Sequence, residues 1–451
     1  MCEFISPNLP ALYGETDAQT IQNAIDEAVG CGCRKVVIPR YNRRCDRNEW
    51  RIEKAIRLPS EFTLILDNCY MVQETGVFTH MFMNENAWQP EKRTLEHEQH
   101  HITIRGEGHV ILSGGVHNGL LEKTSMRFGM PMVWHNTLFY WENVRHLRVE
   151  NLYIEQHRWW AMTHLYCRDV VLRNIEFYAA PHVPNMDGID LRVGCHDFLI
   201  ENITGRTGDD TIACTALSGR HERACAVPGK ESHIHDVVIR NVMADPFLHL
   251  IVRLLNQDGN QLYNIHMDSL FDSSNPFSKR KPKVCVGIGT PGNLYTTLRH
   301  VFNGETRNIY AKNLYSRGSI AVRFDESCED SVFTNVKTFG DNVLGISTMG
   351  LGCQLKNIVF DHFYYSSNPL VHQWGSSGNL EGYLDTVVAL PNTHGDITLK
   401  HVFVGHKLRR LTQLGGDLTV TMEDCQAEAE AICVDKGASH LILNGKEYEN
   451  A

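Results

Sequence analysis

The hydrophobic pattern of the chain predicts one helix near its start and many short strands after it. Four apolar residues are spaced as one face of a helix: Ile21, Ala24, Ile25 and Ala28. An apolar run at 35–39 follows and is typical of a short buried strand. Residues 1–45 are therefore predicted to form an N-terminal cap helix and the first strand, because an amphipathic helix can cover the exposed end of a β-solenoid.

A repeated pattern, apolar-x-apolar-x-Asn-apolar, dominates the rest of the chain. Clear copies carry their asparagine at Asn151, Asn174, Asn202, Asn241, Asn313 and Asn335, and weaker copies lie at 358–361, 397–400 and 418–421. The shortest steps are 23 residues, from Asn151 to Asn174, and 22 residues, from Asn313 to Asn335. One strand-bearing unit at this period, with no helical pattern between strands, is typical of a β-solenoid. A β-propeller would need four antiparallel strands per blade at a longer period.

We therefore predict an all-β fold: a single-stranded right-handed parallel β-helix with a short N-terminal capping helix, forming one domain over residues 1–451. The recurring asparagine follows each strand, where its side chain can bond along the stack of coils. Segments 75–100 and 272–305 lack the pattern and are predicted loop insertions. The histidines and acids at 97–101 match no metal-ligand spacing, so a solvated loop is favoured there.

Composition narrows the class of protein. The chain has 451 residues, 42% hydrophobic and 21% charged, which is ordinary for a globular protein. A net charge of −10 argues against a nucleic-acid partner, and no apolar run is long enough to cross a membrane. The N-terminus lacks a secretory pattern, and the 14 cysteines are scattered. These features predict reduced thiols and a cytoplasmic protein; they leave the oligomeric state open.

Two acidic turns stand before apolar runs. Asn185–Gly188 holds Asp187, and Gly208–Asp210 holds Asp209 and Asp210. Counting residues from the repeated asparagine predicts that four successive coils carry Trp159, Asp187, Asp210 and His249 at equivalent positions, in one column. Like-charge repulsion would then raise the pKa of at least one carboxyl group. Glycosidic cleavage needs two carboxyl groups with different pKa values, one protonated and one ionised. The alternative is a ladder of aspartates that caps turns or binds Ca²⁺. Trp159 would offer an aromatic face for a sugar ring, and His249 a hydrogen-bond donor.

These motifs resemble glycoside hydrolase family 28, the polygalacturonases, within the pectate-lyase-like superfamily. That family carries Asn-x-Asp-Gly, Gly-Asp-Asp, Gly-His-Gly and Arg-Ile-Lys in this order, and the likeness here is strongest over 145–250. The resemblance implies hydrolysis with inversion and without a metal or cofactor. It makes Asp209 the general acid, and Asp187 and Asp210 the residues that activate water.

The sequence departs from the family at two motifs. His249 lacks its flanking glycines, and Arg-Ile-Lys is absent; the nearest string, 321–325, carries Arg323 and has Asp325 in place of the lysine. The predicted substrate-binding residues are Trp159, Asn185, Arg192, Arg253, Lys283 and Arg323. Strict strand alternation would point Arg253 inward. In the family the missing basic pair meets the substrate carboxylate. The departure therefore concerns the recognition of galacturonate and not the cleavage residues.

The sequence thus predicts an inverting, exo-acting glycosidase on a pectin-derived or related oligosaccharide inside the cell. The exo action follows from the long loops at 75–100, 215–235 and 272–305, which favour a closed pocket. A polysaccharide lyase or epimerase on the same scaffold is one alternative; it would use a base with charge neutralisation by Ca²⁺ or arginine. A non-catalytic carbohydrate-binding β-helix is the other.

Overall fold

The computed structural model describes residues 3–180, 183–247, 249–274, 284–290, 299–339, 344–348, 352–367, 385–432 and 437–448. The chain divides into two compact units. Unit 1 consists of Met1–Asp209 with His221–Ser232, and unit 2 of Asp210–Arg220 with His233–Ala451. The expectation of one domain over 1–451 stays a prediction.

Unit 1 is built from short strands that run in parallel. Its described strands are β1 Lys35–Pro39, β2 Trp50–Ile52, β3 Ile56–Leu58, β4 Phe62–Asp67, β5 Tyr70–Gln73, β6 Phe82–Asn84, β7 Gln99–Glu107, β8 Ile111–Ser113, β9 Phe139–Glu142, β10 Val144–Glu155, β11 Met162–Leu165, β12 Arg168–Tyr178, β13 Ile189–Leu191 and β14 His196–Thr207. Parallel pairs join β10 to β12 and β12 to β14.

Unit 2 repeats the same arrangement. Its described strands are β15 Ile212–Ala216, β16 Ile234–Pro246, β17 Leu250–Asn256, β18 Leu262–Asp272, β19 Val284–Ile288, β20 Thr306–Ser316, β21 Ile320–Phe324, β22 Cys328–Thr338, β23 Leu344–Ser347, β24 Cys353–Tyr365, β25 Thr386–Val404, β26 Leu408–Gln426, β27 Ala429–Ala431, β28 His440–Leu443 and β29 Lys446–Tyr448. The pairs β16–β18, β20–β22 and β24–β25 are parallel, while β28 and β29 pair antiparallel. The predicted right-handed parallel β-helix is confirmed.

Helices are few. They are α1 Asp17–Gly30, α2 Glu122–Ser125 and α3 Arg220–Ala224, with 3₁₀ turns at Pro10–Leu12, Pro90–Lys92, Leu95–His97 and Val133–Asn136. Helix α1 confirms the predicted cap helix: its N-cap Thr16 accepts a hydrogen bond from the Gln19 main-chain N–H at 3.2 Å. The apolar face of α1, which includes Ile21 and Ile25, is fully buried. Burial of that face stabilises the helix more than its intrinsic propensity does.

The repeated asparagines form ladders along the stack, as the pattern predicted, but they lie within strands such as β10 and β12 and not after them. In unit 1 the Asn174 amide donates to the Asn151 side-chain oxygen at 2.8 Å, and the Asn202 amide donates to Asn174 at 2.9 Å. In unit 2 Asn335 donates to Asn313 at 2.7 Å. All five have a positive φ, between 54° and 63°, a conformation that asparagine tolerates better than most residues. We call these residues the Asn ladder.

A second ladder was not recognised in the sequence, although its signal is there. Each clear copy of the repeat has a residue with φ between 49° and 57° five positions before its asparagine: His146, Asp169, Asp197, Asp236, Asn308 and Asp330. In unit 2 these residues also bond along the stack, for example Asn357 to Asp330 at 2.8 Å. Each coil therefore bends at two points a fixed distance apart.

The two segments predicted as loop insertions are described in part. Segment 75–100 contains β6, two 3₁₀ turns and the start of β7. Lys283 and half of segment 272–305 lie outside the described residues. Each described cysteine is a free thiol, and most are buried. Among the described residues no helix has the length and hydropathy needed to span a membrane. The cytoplasmic location stays a prediction.

Candidate active site

In unit 1 the main chain shapes the turn that carries Asp187. Asn185 adopts the left-handed conformation, with φ at 58°, which redirects the chain just before β13. The Ala161 main-chain N–H donates to the carbonyl oxygen of Asp187 at 2.9 Å, so this turn is tied to the preceding coil. The Asn-x-Asp-Gly motif thus fixes the backbone conformation of the turn that carries Asp187.

Gly208 allows the Asp209 turn to approach the Asp187 turn closely. Its N–H donates to the Met186 carbonyl at 3.0 Å, and a Cβ at this position would lie 2.9 Å from the Met186 Cβ. The Asn185 main-chain N–H donates to Oδ2 of Asp209 at 3.3 Å. Unit 1 therefore brings Asn185, Asp187 and Asp209 together, and their motifs explain how.

In unit 2, Asp210 is held by a cation. Its Oδ2 pairs with Nε of Arg253 at 2.5 Å, and its Oδ1 accepts from the Leu250 main-chain N–H at 3.0 Å. Nη2 of Arg253 also lies 3.4 Å from Nδ1 of His249. Asp187, Asp209 and Asp210 are 5%, 7% and 2% exposed, so all three carboxylates are buried. A buried carboxylate requires a hydrogen-bonded or charged environment.

Arg253 is predicted to point inward only if strand alternation is strict. Its guanidinium reaches Asp210, and the residues in register with it on the neighbouring coils are Ala213 and Gly287. Both are small residues. Their size could be read in the sequence, but their position beside Arg253 depends on the strand register.

The predicted column is shifted by one residue at two of its positions. Met162 pairs with Ile189, so the coil position of Asp187 corresponds to Trp160 and not to Trp159. Ile212 pairs with Val252, so Asp210 corresponds to Leu250, and His249 precedes that position. The spacing from the asparagine to this column differs by one residue between coils. Counting residues from the asparagine could not detect this difference. Trp159 is fully buried and is not available as a sugar platform.

Trp160 is partly exposed and belongs to an aromatic cluster with a buried ion pair. The Trp134 and Trp160 rings meet edge to face, with centroids 4.9 Å apart and planes at 88°. The Arg192 guanidinium carbon lies 4.8 Å from the Trp160 ring centre and 5.4 Å from that of Trp134. Nη2 of Arg192 pairs with Oε1 of Glu222. We call these four residues the Trp–Arg corner.

Buried histidines lie beside the Trp–Arg corner and behind the Asp187 turn. The His221 ring stacks on Trp134 with centroids 4.0 Å apart, and its Nε2 is 3.0 Å from the Tyr140 hydroxyl. Burial, helped by the cations Arg93 and Arg192, lowers the pKa of His221 to about 3. Burial also lowers the pKa of His157 to about 4, although the Met186 and Asp187 carbonyl groups oppose the shift. Both imidazoles are therefore neutral at pH 7.

Of the remaining predicted cations, Arg323 is described. Arg323 lies in register with Gly287 and pairs with its near neighbour Asp325 at 2.5 Å. Lys283 is outside the described residues. A group with metal-ligand chemistry occurs elsewhere in unit 2, where Asp361, His362 and His401 present ligand atoms within 4.8 Å of one another. His362 and His401 are in register on neighbouring coils, with rings 4.5 Å apart, so stacking accounts for their placement.

Sequence reasoning missed Trp160, Trp134 and Glu222. For Trp160 a signal existed: Trp159 and Trp160 are adjacent, so alternation would bury one ring and expose the other. Trp134 follows the irregular segment after α2, and Glu222 lies in α3, where no repeat gives a register. Their approach to Arg192 could not be read from spacing.

No protein-family model matches the sequence, and a comparison with curated protein sequences finds no match. Solved structures do match. The family 28 exopolygalacturonase of Yersinia enterocolitica is similar at a TM-score of 0.50 and 13% identity, over 98% of this chain and 77% of that one. The hyperthermoactive exopolygalacturonase of Thermotoga maritima gives a TM-score of 0.47 and 15% identity, over 96% and 88% of the two chains.

A third similar structure has a different activity in its name. The A-module of the Azotobacter vinelandii mannuronan C-5 epimerase AlgE6 gives a TM-score of 0.49 and 14% identity, over 97% of this chain and 99% of that one. Hydrolases and an epimerase are thus among the structures that this chain is similar to, and at such identities the likeness shows the parallel β-helix fold alone.

Proposed function

We propose that this chain is an inverting glycoside hydrolase that acts on an oligosaccharide. The observation that carries the proposal is the junction of two acidic turns in unit 1. The Asn185 main-chain N–H binds the Asp209 carboxylate, and Gly208 lets the two turns approach closely. Turn capping alone would not require buried acids on two successive coils. Preorganised carboxylates in a buried site are what acid/base cleavage of a glycosidic bond needs.

The residue roles in this proposal follow the family resemblance. Asp209 protonates the leaving oxygen, while Asp187 and Asp210 orient and deprotonate the attacking water. The Arg253 ion pair and the Leu250 N–H support the role of Asp210, because they hold its carboxylate in a fixed orientation. The neutral imidazole of His157 stands behind the Asp187 turn and acts as a positioning residue. Exo action and an intracellular, pectin-derived substrate are the finer parts of the proposal.

The test is hydrolysis of a panel of pectic oligosaccharides and neutral glycosides by the full chain. Reducing ends and ultraviolet absorbance are followed together, and NMR records the anomer formed first. Asp209→Asn should lower kcat by about 10³-fold, since a general acid contributes about 10²–10⁴-fold. Asp197→Asn is the matched control, because this ladder residue is exposed and other coils carry asparagine at equivalent positions.

Three outcomes would contradict the proposal in different ways. A rise in absorbance would mean that a double bond forms and that the chain is a lyase. Retention of the anomeric configuration would remove the assigned roles. An equal loss of activity in Asp197→Asn and Asp209→Asn would mean that the acids act through folding.

A further inference from the structure

The position of Trp160 makes it part of any binding site around Asp187. Met162 and Ile189 are paired in register, which places Trp160 beside Asp187 on the neighbouring coil, at the strand spacing of about 4.8 Å. The Ala161 N–H bond to the Asp187 carbonyl fixes this relation. A sugar ring that contacts the Asp187 carboxylate therefore has the partly exposed Trp160 ring as its nearest aromatic neighbour on that coil.

Aromatic faces bind the C–H faces of sugars, and the Trp–Arg corner offers two indole rings for this. Trp134 and Trp160 are both partly exposed and meet at a right angle. An edge-to-face pair is rigid and keeps its contact area at a low cost in conformational entropy. The corner is thus suited to hold an uncharged ring by contact with its carbon atoms.

The cation in the corner is already neutralised. Arg192 and Glu222 are 6% and 5% exposed and pair directly with one another. If Arg192 turned to a ligand carboxylate, Glu222 would be left charged and buried, which is strongly unfavourable. Glu222 would also repel that carboxylate. The corner therefore presents aromatic surface and no net positive charge.

The same holds for Arg253 and Arg323, two other arginines that the sequence nominated for a substrate carboxylate. Arg253 pairs with Asp210 at 2.5 Å, and Arg323 pairs with Asp325 at 2.5 Å. Each of these cations is matched by a carboxylate of the protein.

We infer that the sugar bound on Trp160 beside Asp187 is a neutral residue, a hexose or pentose that carries no carboxylate. The inference rests on the proposed function for the reaction that follows binding, but binding itself can be measured separately. It reverses the expectation that the family resemblance gives for the substrate.

Matched pairs of oligosaccharides test the inference directly. Each pair consists of a uronate trimer and its carboxyl-reduced counterpart with the same linkage, in an α-1,4-galacturonate series and a β-1,4-mannuronate series. Calorimetry with the full chain should give a dissociation constant at least tenfold lower for the neutral member. Equal or tighter binding of the acidic member would overturn the inference, and so would the absence of binding by both members of every pair.

Variants of the corner sharpen the result. Trp160→Ala should weaken binding of the neutral trimer at least tenfold, whereas Tyr178→Ala, which removes an exposed ring elsewhere in unit 1, should not change it. Glu222→Gln should strengthen binding of the uronate about tenfold, because it leaves the Arg192 charge uncompensated. The double change Arg192→Met with Glu222→Leu removes both charges and should keep the neutral preference. A uronate preference that vanishes in this double variant would show Arg192 to be the carboxylate ligand.

The outcomes separate this inference from the proposed function. Tight binding of the neutral trimer without hydrolysis would remove the hydrolase and keep the neutral subsite. Hydrolysis of the uronate trimer, with loss of kcat in Asp209→Asn, would keep the hydrolase and remove the neutral subsite.

Discussion

Units 1 and 2 hold their buried acids by different means. In unit 1 the main chain positions Asp209, through the Asn185 N–H and the close approach at Gly208. In unit 2 a full positive charge, Arg253, meets Asp210 at 2.5 Å. Main-chain N–H groups carry partial charges, whereas a guanidinium carries a whole one. The comparison teaches that acids in similar sequence motifs can be prepared for different chemical roles.

The largest loss of stability is expected when the cation of unit 2 is removed. Arg253→Met removes a charged partner of the buried Asp210, and breaking a buried ion pair costs about 3–5 kcal/mol of unfolding free energy. We also expect kcat to fall by about 10²-fold, in line with the loss of an acid/base contribution. Denaturant unfolding and steady-state kinetics measure the two effects.

A surface ion pair is the control for Arg253. Arg168 pairs with Glu98 at 2.9 Å and its side chain is 32% exposed, so Arg168→Met should cost about 1 kcal/mol or less. If both variants lose the same stability, Asp210 does not depend on Arg253 in the way described.

Acid should destabilise unit 1 through its buried neutral histidines. Burial lowers the pKa of His80 and His221 to about 3, and that of His157 and His164 to about 4. In the unfolded chain these histidines take up protons at about pH 6.5. The unfolding free energy is therefore highest above that pH and falls as the pH decreases toward 4. Each histidine contributes up to about 1.4 kcal/mol per pH unit in this range. Urea unfolding at pH 7.5, 6.5, 5.5 and 4.5 measures the slope.

His80 provides the variant that tests this slope. Its Nδ1 faces the Thr137 carbonyl at 3.0 Å, and its Nε2 accepts from the Trp88 indole N–H at 2.9 Å. Protonation of Nε2 would break the second bond. His80→Gln should therefore flatten the pH dependence by about a quarter, the share of one histidine among four; an unchanged slope would assign it to other groups.

The close approach of the two turns in unit 1 can be tested with one methyl group. Gly208→Ala places a Cβ 2.9 Å from the Met186 Cβ and 3.2 Å from the Val183 carbonyl oxygen. The turn must shift, and displacement of a catalytic group by a fraction of an ångström to 1 Å can cost about 10²-fold in rate. We expect kcat to fall and KM to change little. Gly30→Ala, at the end of α1 with no atom within 4 Å, should leave kcat unchanged.

The smallest effect should come from the Asn ladder, which both units share. Asn174→Ala removes the bonds to Asn151 and from Asn202 and places alanine at a φ of 55°. We expect a loss of about 2 kcal/mol, the sum of a strained backbone and lost hydrogen bonds. Asn174→Gly relieves the backbone only and should recover about half. Asn335→Ala should behave alike in unit 2, where the ladder has the same geometry.

The Asn ladder also shows how far the sequence could be read. The steps from Asn151 to Asn174 and from Asn174 to Asn202 are the registers of β10–β12 and β12–β14. Counting residues from the asparagine predicted these registers because the ladder residues are themselves in register. It failed at Trp159 and His249, because the stretch between ladder and acids varies by one residue from coil to coil.

The sequence by itself determined the coil, its two bends and the acidic turns, because each depends on residues within one repeat. Left-handed asparagines bend each coil, and Asn185 and Gly208 fix the turns through their own backbone conformations and size. The tertiary structure alone decided what surrounds the acids. Trp160 lies beside Asp187 through strand register, and Glu222 neutralises Arg192 from a helix 30 residues further along the chain. Such contacts depend on loop lengths and side-chain packing, which no local pattern encodes.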